Sequence, residues 1–178
     1  MNDTFELRHS GETHIEVHKF YPGAVLLAAA AALVIQATAP VYFPKLSILE
    51  LPLLVTIYFG LSRRNPSTGL LLGMLIGLAQ DALSGPTVPL GFYGIGKTVI
   101  GYLASSIGAR LDTEHPAARF ALIFSFFVVQ QAVLALVRRL LQSPPEAWMN
   151  VHLAIAAAVN AVLGTVLFLA LDRLRRSS

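Results

Sequence analysis

The 178-residue chain has no cysteine, and only 13% of its residues are charged. The first absence excludes disulfides, thiolate catalysis and cysteine-ligated metals, and leaves the redox compartment unread. The second sets the chain apart from an average globular domain, where about a quarter of residues are charged. Catalytic groupings are missing too: no nucleophile stands with a histidine base and an orienting acid, and Ser105 and Ser106 lie in an apolar run without such partners. Gly91, Gly94, Gly96 and Lys97 lack the spacing and the preceding strand of a phosphate loop. His14 and His18 are spaced like a helical metal pair, with His9 and Glu16 nearby, but no further zinc pattern accompanies them. They read as part of a solvated or interfacial tail, and neither metal nor cofactor is expected.

What is present is hydrocarbon. With 55% hydrophobic residues and a mean hydropathy of +0.65, the sequence is that of an integral membrane protein. Its length accommodates about six spans of roughly 20 residues each and little else, so any large extramembrane activity must come from partners. A polar tail, residues 1–21, precedes the first apolar run, which is long enough to stay as an anchor rather than be cleaved as a signal. The breakers divide the remainder into spans at 22–40, 45–61, 67–83, 90–109, 118–140 and 150–172, followed by a basic tail, 173–178. The expected fold is thus all-α, a compact bundle of six transmembrane helices.

Lysine and arginine set the orientation. One side carries Arg8, Lys19, Arg63, Arg64, Arg110, Arg119, Arg173, Arg175 and Arg176; the other has Lys45, Arg138 and Arg139, and Lys97 lies within a span. The positive-inside rule puts both termini in the cytoplasm. The net charge of +3 therefore reflects topology, since the cations are dispersed at helix ends and form no nucleic-acid footprint. Arg173, Arg175 and Arg176 suit anionic lipid headgroups or a cytoplasmic partner. Trp148 reads as an interfacial anchor.

Three charges fall inside the spans. At about 1.5 Å per residue through a core of about 30 Å, Asp81, Lys97 and Glu50 lie at depths of about 9, 10 and 8 Å from the outer boundary. They form either a polar cluster open to a partner helix, ligand or water, or an internal ion pair in which Lys97 serves Asp81 and locks spans three and four. The internal pair is the simpler account, because buried charges are usually paired. Arg138 and Arg139 close span five on the outer side, either snorkelling to phosphate or docking an acidic periplasmic partner. Two small-residue faces invite close helix contact: Gly69, Gly73 and Gly77 in span three, and Ala24, Ala28 and Ala32 in span one.

Three segments together carry a resemblance: LELPLLVTIYFGLSRRNPSTG, GLLLGMLIGLAQDALSGPTVPLG and GKTVIGYLASSIGARL. Over about residues 20–172 the chain resembles MreD, a small membrane protein family of the bacterial rod-shape and lateral-wall elongation system. Gln80, Asp81, Ser84, Gly85, Leu90 and Gly91 carry the most specific part of the likeness. Span two departs from it: members often begin that span with proline followed by aspartate, whereas here Glu50 precedes Pro52 by two residues. The resemblance implies a non-enzymatic scaffold of the inner membrane that binds MreC and is linked with MreB, RodA and its class B penicillin-binding transpeptidase. Glu50, Asp81 and Lys97, with Ser84, Gly85, Leu90, Gly91, Arg138 and Arg139 at the outer turn, are then the candidate docking residues. MreD-like proteins are also similar in fold to the S components of energy-coupling-factor transporters, so a subunit binding a vitamin-like ligand is the alternative, although the outer half offers few polar or aromatic groups for a pocket beyond Glu50, Asp81, Tyr93 and Lys97.

Overall fold

Pro40 is accommodated inside α1 (Pro22–Tyr42), which ends two residues later, and Pro44 then opens a short 3₁₀ helix, Pro44–Ile48. The computed structural model describes residues 22–86, 88–110, 115–141 and 150–175. Outside them lie the tail with His9, His14, Glu16 and His18, as well as Trp148 and Arg176; of Arg173 and Arg175 only the backbone is described. Helices α2 (Leu51–Arg63), α3 (Pro66–Leu83), α4 (Phe92–Gly108), α5 (Pro116–Leu140) and α6 (Val151–Arg175) complete an all-helical architecture among the described residues.

Local chemistry sets the boundaries. Arg64 turns left-handed at φ 53°, and Asn65 then accepts hydrogen bonds from the Ser67 and Thr68 amides, with Pro66 opening α3. His115 caps α5 in the same way through Nδ1, ahead of Pro116. Gly85 and Gly91, at φ 78° and 95°, supply the left-handed backbone of the turn between α3 and α4. The chain runs in alternating directions: Gly77 of α3 meets Gly94 of α4 while Gly69 meets Gly101, whereas Tyr58 of α2 and Glu50 just before α2 reach Asp172 and Asn160 of α6 in parallel order. The described starts and ends of the bundle therefore share one end, the termini end; the α3–α4 turn marks the far end.

At the centre stands α2, buried without interruption from Pro52 to Leu61 and touching every other helix. A helix apolar all round is what a bundle axis requires. Around it the closest approach is between α3 and α4. A Cβ on Gly73 would run into the Lys97 carbonyl, one on Gly69 into Ser105 and the Gly101 carbonyl, and one on Gly77 would come within 2.6 Å of the Gly94 Cα. Backbones in such contact gain dispersion and lose no side-chain entropy.

Two expectations need correction. Residues 45–61 do not form one helix: Leu49 and Glu50 are not helical, and α2 alone, at 13 residues, rises only about 20 Å. The small-residue face of α1 is also displaced, because Ala24 is exposed and Ala28 half-buried while Val25, Ala29 and Ala32 are buried against the core. The apolar run is continuous there, so the choice of inward face falls to the polar Gln36, described below, which fixes α1's rotation. Four segments are long and apolar enough to cross a membrane, Gly23–Tyr42, Pro44–Arg63, Pro116–Leu140 and Val151–Asp172. At 18 and 17 residues, α3 and α4 are shorter. At the other end of the chain, α6 continues through Arg175, so the predicted tail from 173 begins as helix.

Candidate functional site: a charged cluster around a broken helix

The break at Leu49–Glu50 leaves backbone groups without helical partners in an apolar interior, where each one unpaired costs on the order of 1–3 kcal/mol. Two side-chain amides satisfy them. Gln36 of α1 donates through Nε2 to the Leu49 carbonyl at 2.9 Å and accepts from the Leu51 N–H at 3.0 Å. From the opposite side, Asn160 of α6 donates through Nδ2 to the Ile48 carbonyl at 2.8 Å and accepts from the Glu50 N–H at 2.8 Å. Successive peptide groups of an extended chain point to opposite sides, and each amide here plays the part of a neighbouring strand. Asn160 is fully buried.

This geometry delivers Glu50 to the bundle interior at the start of α2. Its Oε2 lies 3.2 Å from Lys97 Nζ, and Gln130 of α5 donates to the same oxygen at 3.4 Å. Lys97 is wholly buried, and its ammonium also stands 5.0 Å from the centroid of the Tyr93 ring. The cluster draws on α2, α4 and α5, with α1 and α6 holding the backbone that presents it.

Asp81 has a different partner from the one depth alone suggests. Its carboxylate accepts hydrogen bonds from the N–H groups of Gly91 at 2.9 Å, Tyr93 at 2.8 Å and Gly94 at 3.0 Å, the first turn of α4. A helix start offers unpaired donors and the positive end of its dipole, so a carboxylate there is stabilised twice over. Lys97 lies about one turn further into α4 and pairs with Glu50 instead. Depth matching brought the right charges to one level but does not resolve which faces which.

Ser84 and Gly85 follow α3 directly, the Ser84 hydroxyl donating to the Gln80 carbonyl at 2.8 Å. Leu90, at the end of the turn, is 75% exposed, and Gly91 is the first residue that Asp81 holds. Arg138 and Arg139 are both exposed at the end of α5, the Arg138 guanidinium 5.3 Å from the Phe92 ring centroid.

A second charge pair, with Arg119 buried and Asp172 partly exposed, occupies the termini end. Arg119 of α5 meets Asp172 of α6 at 2.6 Å, and the Tyr58 hydroxyl of α2 donates to the same carboxylate at 3.3 Å. Sequence reading missed this pair, treating Arg119 as one more surface cation, and it missed Gln36, Gln130 and Asn160. A signal for the amides was present: Gln36 and Asn160 are lone amides inside apolar runs and Gln130 is one of an adjacent pair with Gln131, costly placements that imply partners. Among the described residues no three metal-ligating side chains converge.

An all-helical protein with four segments apolar enough to span a bilayer, and with its charges paired inside the bundle, belongs to the class of integral membrane proteins. The family model described as rod shape-determining protein MreD matches residues 18–177, so the chain belongs to the MreD family, and the resemblance carried by residues 49–111 holds over nearly the whole length. Its family role is in the determination of rod shape. Comparison with curated proteins and with solved structures found no match.

Proposed function

We propose that the protein is a non-enzymatic scaffold of the cell-elongation machinery, crossing the bacterial inner membrane six times with both termini in the cytoplasm. Four of its segments are long and apolar enough to span. The α3–α4 hairpin crosses beside them, its shorter helices shielded by mutual glycine packing, and the cation excess at the termini end faces the cytoplasm. The observation that carries the scaffold reading is the state of the interior charges. Asp81 holds the start of α4, and Glu50 and Lys97 hold each other. These interior charges are thus committed to architecture, and what we assign to function is the surface that they shape.

That surface is the far-end turn. Asp81 fixes its exit, Gly85 and Gly91 its path, and Leu90 projects from it. An exposed apolar side chain beside the helix start that Asp81 holds is a suitable anchor for a partner's membrane-proximal segment. MreC is the proposed partner, with RodA, its class B penicillin-binding transpeptidase and MreB reached through the assembly; Arg138 and Arg139 would meet acidic groups beside it. The vitamin-binding alternative is weakened by the same observation, since Glu50, Asp81 and Lys97 are occupied by one another and by the backbone.

Co-purification from membranes in mild detergent tests the proposal. The wild-type chain is expected to recover MreC, and Leu90→Asp to lose most of that recovery while its own yield and helicity hold. Absence of MreC and of the wall synthases from the wild-type sample would sink the scaffold reading; undiminished recovery with Leu90→Asp would move the interface elsewhere.

A further inference from the structure

Asn160 and Gln36 fix the depth of the break as well as its hydrogen bonds. Asn160 lies nine residues after the start of α6 and Gln36 six before the end of α1, so Ile48 and Leu49 sit about 9–14 Å below the far-end limits of those helices. That places the 3₁₀ helix within one leaflet of a bilayer core of about 30 Å. Yet Pro44, Lys45, Leu46 and Ser47 are all exposed. A 3₁₀ helix has poorer hydrogen-bond geometry than an α-helix, and backbone that departs from the α-helix at membrane depth is tolerated where protein or water meets its polar groups.

Beside this segment a cavity of about 430 Å³ opens between α5 and α6, with Ser47 and Ile48 on its wall. Phe127 and Leu134 make part of the lining apolar, but Ser47, Gln131 and Asn150 make it polar along its depth. Gln131 decides the occupant. It lies nine residues before the end of α5, about 14 Å along the helix, half-buried, and its amide has no hydrogen-bond partner among the described residues. An amide facing hydrocarbon unpaired is costly, whereas water satisfies both its donors and its acceptor. The cavity has room for several waters, and the Ser47 hydroxyl and the Asn150 side chain give them further partners.

We infer that this cavity is a water-filled notch, carrying solvent from the far-end compartment down to the level of Ile48 inside the bilayer. It stops short of the ion pair, since neither Glu50 nor Lys97 lines it. The side of the membrane on which it opens rests on the topology proposed above; its aqueous character does not.

The chain has no cysteine, so single introduced cysteines report accessibility without background. In right-side-out membrane vesicles carrying the full chain, Ser47→Cys and Gln131→Cys are expected to react with the anionic, membrane-impermeant sulfonatoethyl methanethiosulfonate at least about tenfold faster than Val159→Cys, because the reacting thiolate forms in water and not in hydrocarbon. Val159 is 38% exposed and adjoins Asn160, so it shares the level of Ile48 but lies outside the cavity lining. Equally slow reaction at all three positions overturns the inference and gives the cavity to hydrocarbon or protein. Equally fast reaction overturns it as well, because solvent would then not be confined to a notch. Pro86→Cys, in the exposed α3–α4 turn, reads the orientation separately: if it and the notch cysteines react only in inverted vesicles, the topology falls and the notch stands. Should Gln131→Cys fail to fold, Ser47→Cys against Val159→Cys decides alone.

Discussion

The two ends of the bundle each bury an ion pair, but the pairs differ in what they demand of the chain. At the termini end, Arg119 and Asp172 join two uninterrupted helices, with side chains 11% and 27% exposed. At the far end, Glu50 and Lys97 are 13% and 0% exposed, and Glu50 reaches its place only because the helix before it is broken. The first pair braces helices that would be regular without it. The second is built into the path of the backbone, with Gln36 and Asn160 satisfying the groups that the break releases. Deep burial with irregular backbone is tolerated in a membrane protein only where the surrounding side chains replace every lost hydrogen bond. Architecture at the far end is therefore the more easily broken.

The largest effect is expected from Lys97→Ala. It leaves the Glu50 carboxylate in the interior with only the Gln130 amide, and breaking a buried pair by removing one partner typically costs about 3–5 kcal/mol. Thermal denaturation in detergent, read alongside folded yield, measures it. A Glu50→Gln, Lys97→Met double variant should recover a clear part of the loss, because neither charge is then stranded. Asp81→Asn combined with Lys97→Ala should show much less recovery, since Asp81 serves the α4 N-terminus. Equal recovery in the two double variants would erase the distinction between the partners.

Next in size are the amides. Asn160→Leu strands the Ile48 carbonyl and the Glu50 N–H, an expected loss of roughly 2–4 kcal/mol for two buried groups. Gln36→Leu strands a similar pair, but Gln36 is only half-buried and α1 lies at the periphery, so its loss should be smaller, roughly 1–2 kcal/mol on the same basis. Hydrogen exchange should show the Glu50 amide deprotected in the first variant and the Leu51 amide in the second. If both variants lose the same protection at both amides, the break behaves as one unit and the two-sided clamp is wrong.

Much of the far end was legible beforehand, for physical reasons that stop at a definite point. Charges in an apolar run stand out because their placement is costly, so Glu50, Asp81 and Lys97 could be found and ranked by depth. Depth carries no azimuth, however, and it could not tell Lys97 facing Glu50 from Lys97 facing Asp81. The glycines at 69, 73 and 77 were legible because four-residue spacing is a helical face; the alanines of α1 were not, because alanine suits every face of a span. The break at Leu49–Glu50 escaped because Leu, Ile and Pro there continue the apolar run, and its satisfaction comes from residues 36 and 160, distant in sequence. Asp172 and Arg119 escaped for a similar reason: at a span's edge a charge looks solvated until the neighbouring helix is known.

The smallest effect is expected at the termini end, from Asp172→Asn. The asparagine keeps a hydrogen-bonding oxygen for the Tyr58 hydroxyl, and the side chain at 172 is 27% exposed, so water reaches the pair from that side. A pair with one side this accessible is worth about 1 kcal/mol or less, so the melting temperature should fall only slightly and partner retention should not change. Salt provides the sharper contrast. Added salt should weaken the contribution of Arg119–Asp172, measured by the gap between wild type and Asp172→Asn, while the gap between wild type and Lys97→Ala should stay nearly constant, because ions do not enter the interior that holds Glu50. A salt-insensitive termini-end pair would mean that both ends are equally sealed, and the far end would then owe its distinction to the broken helix alone.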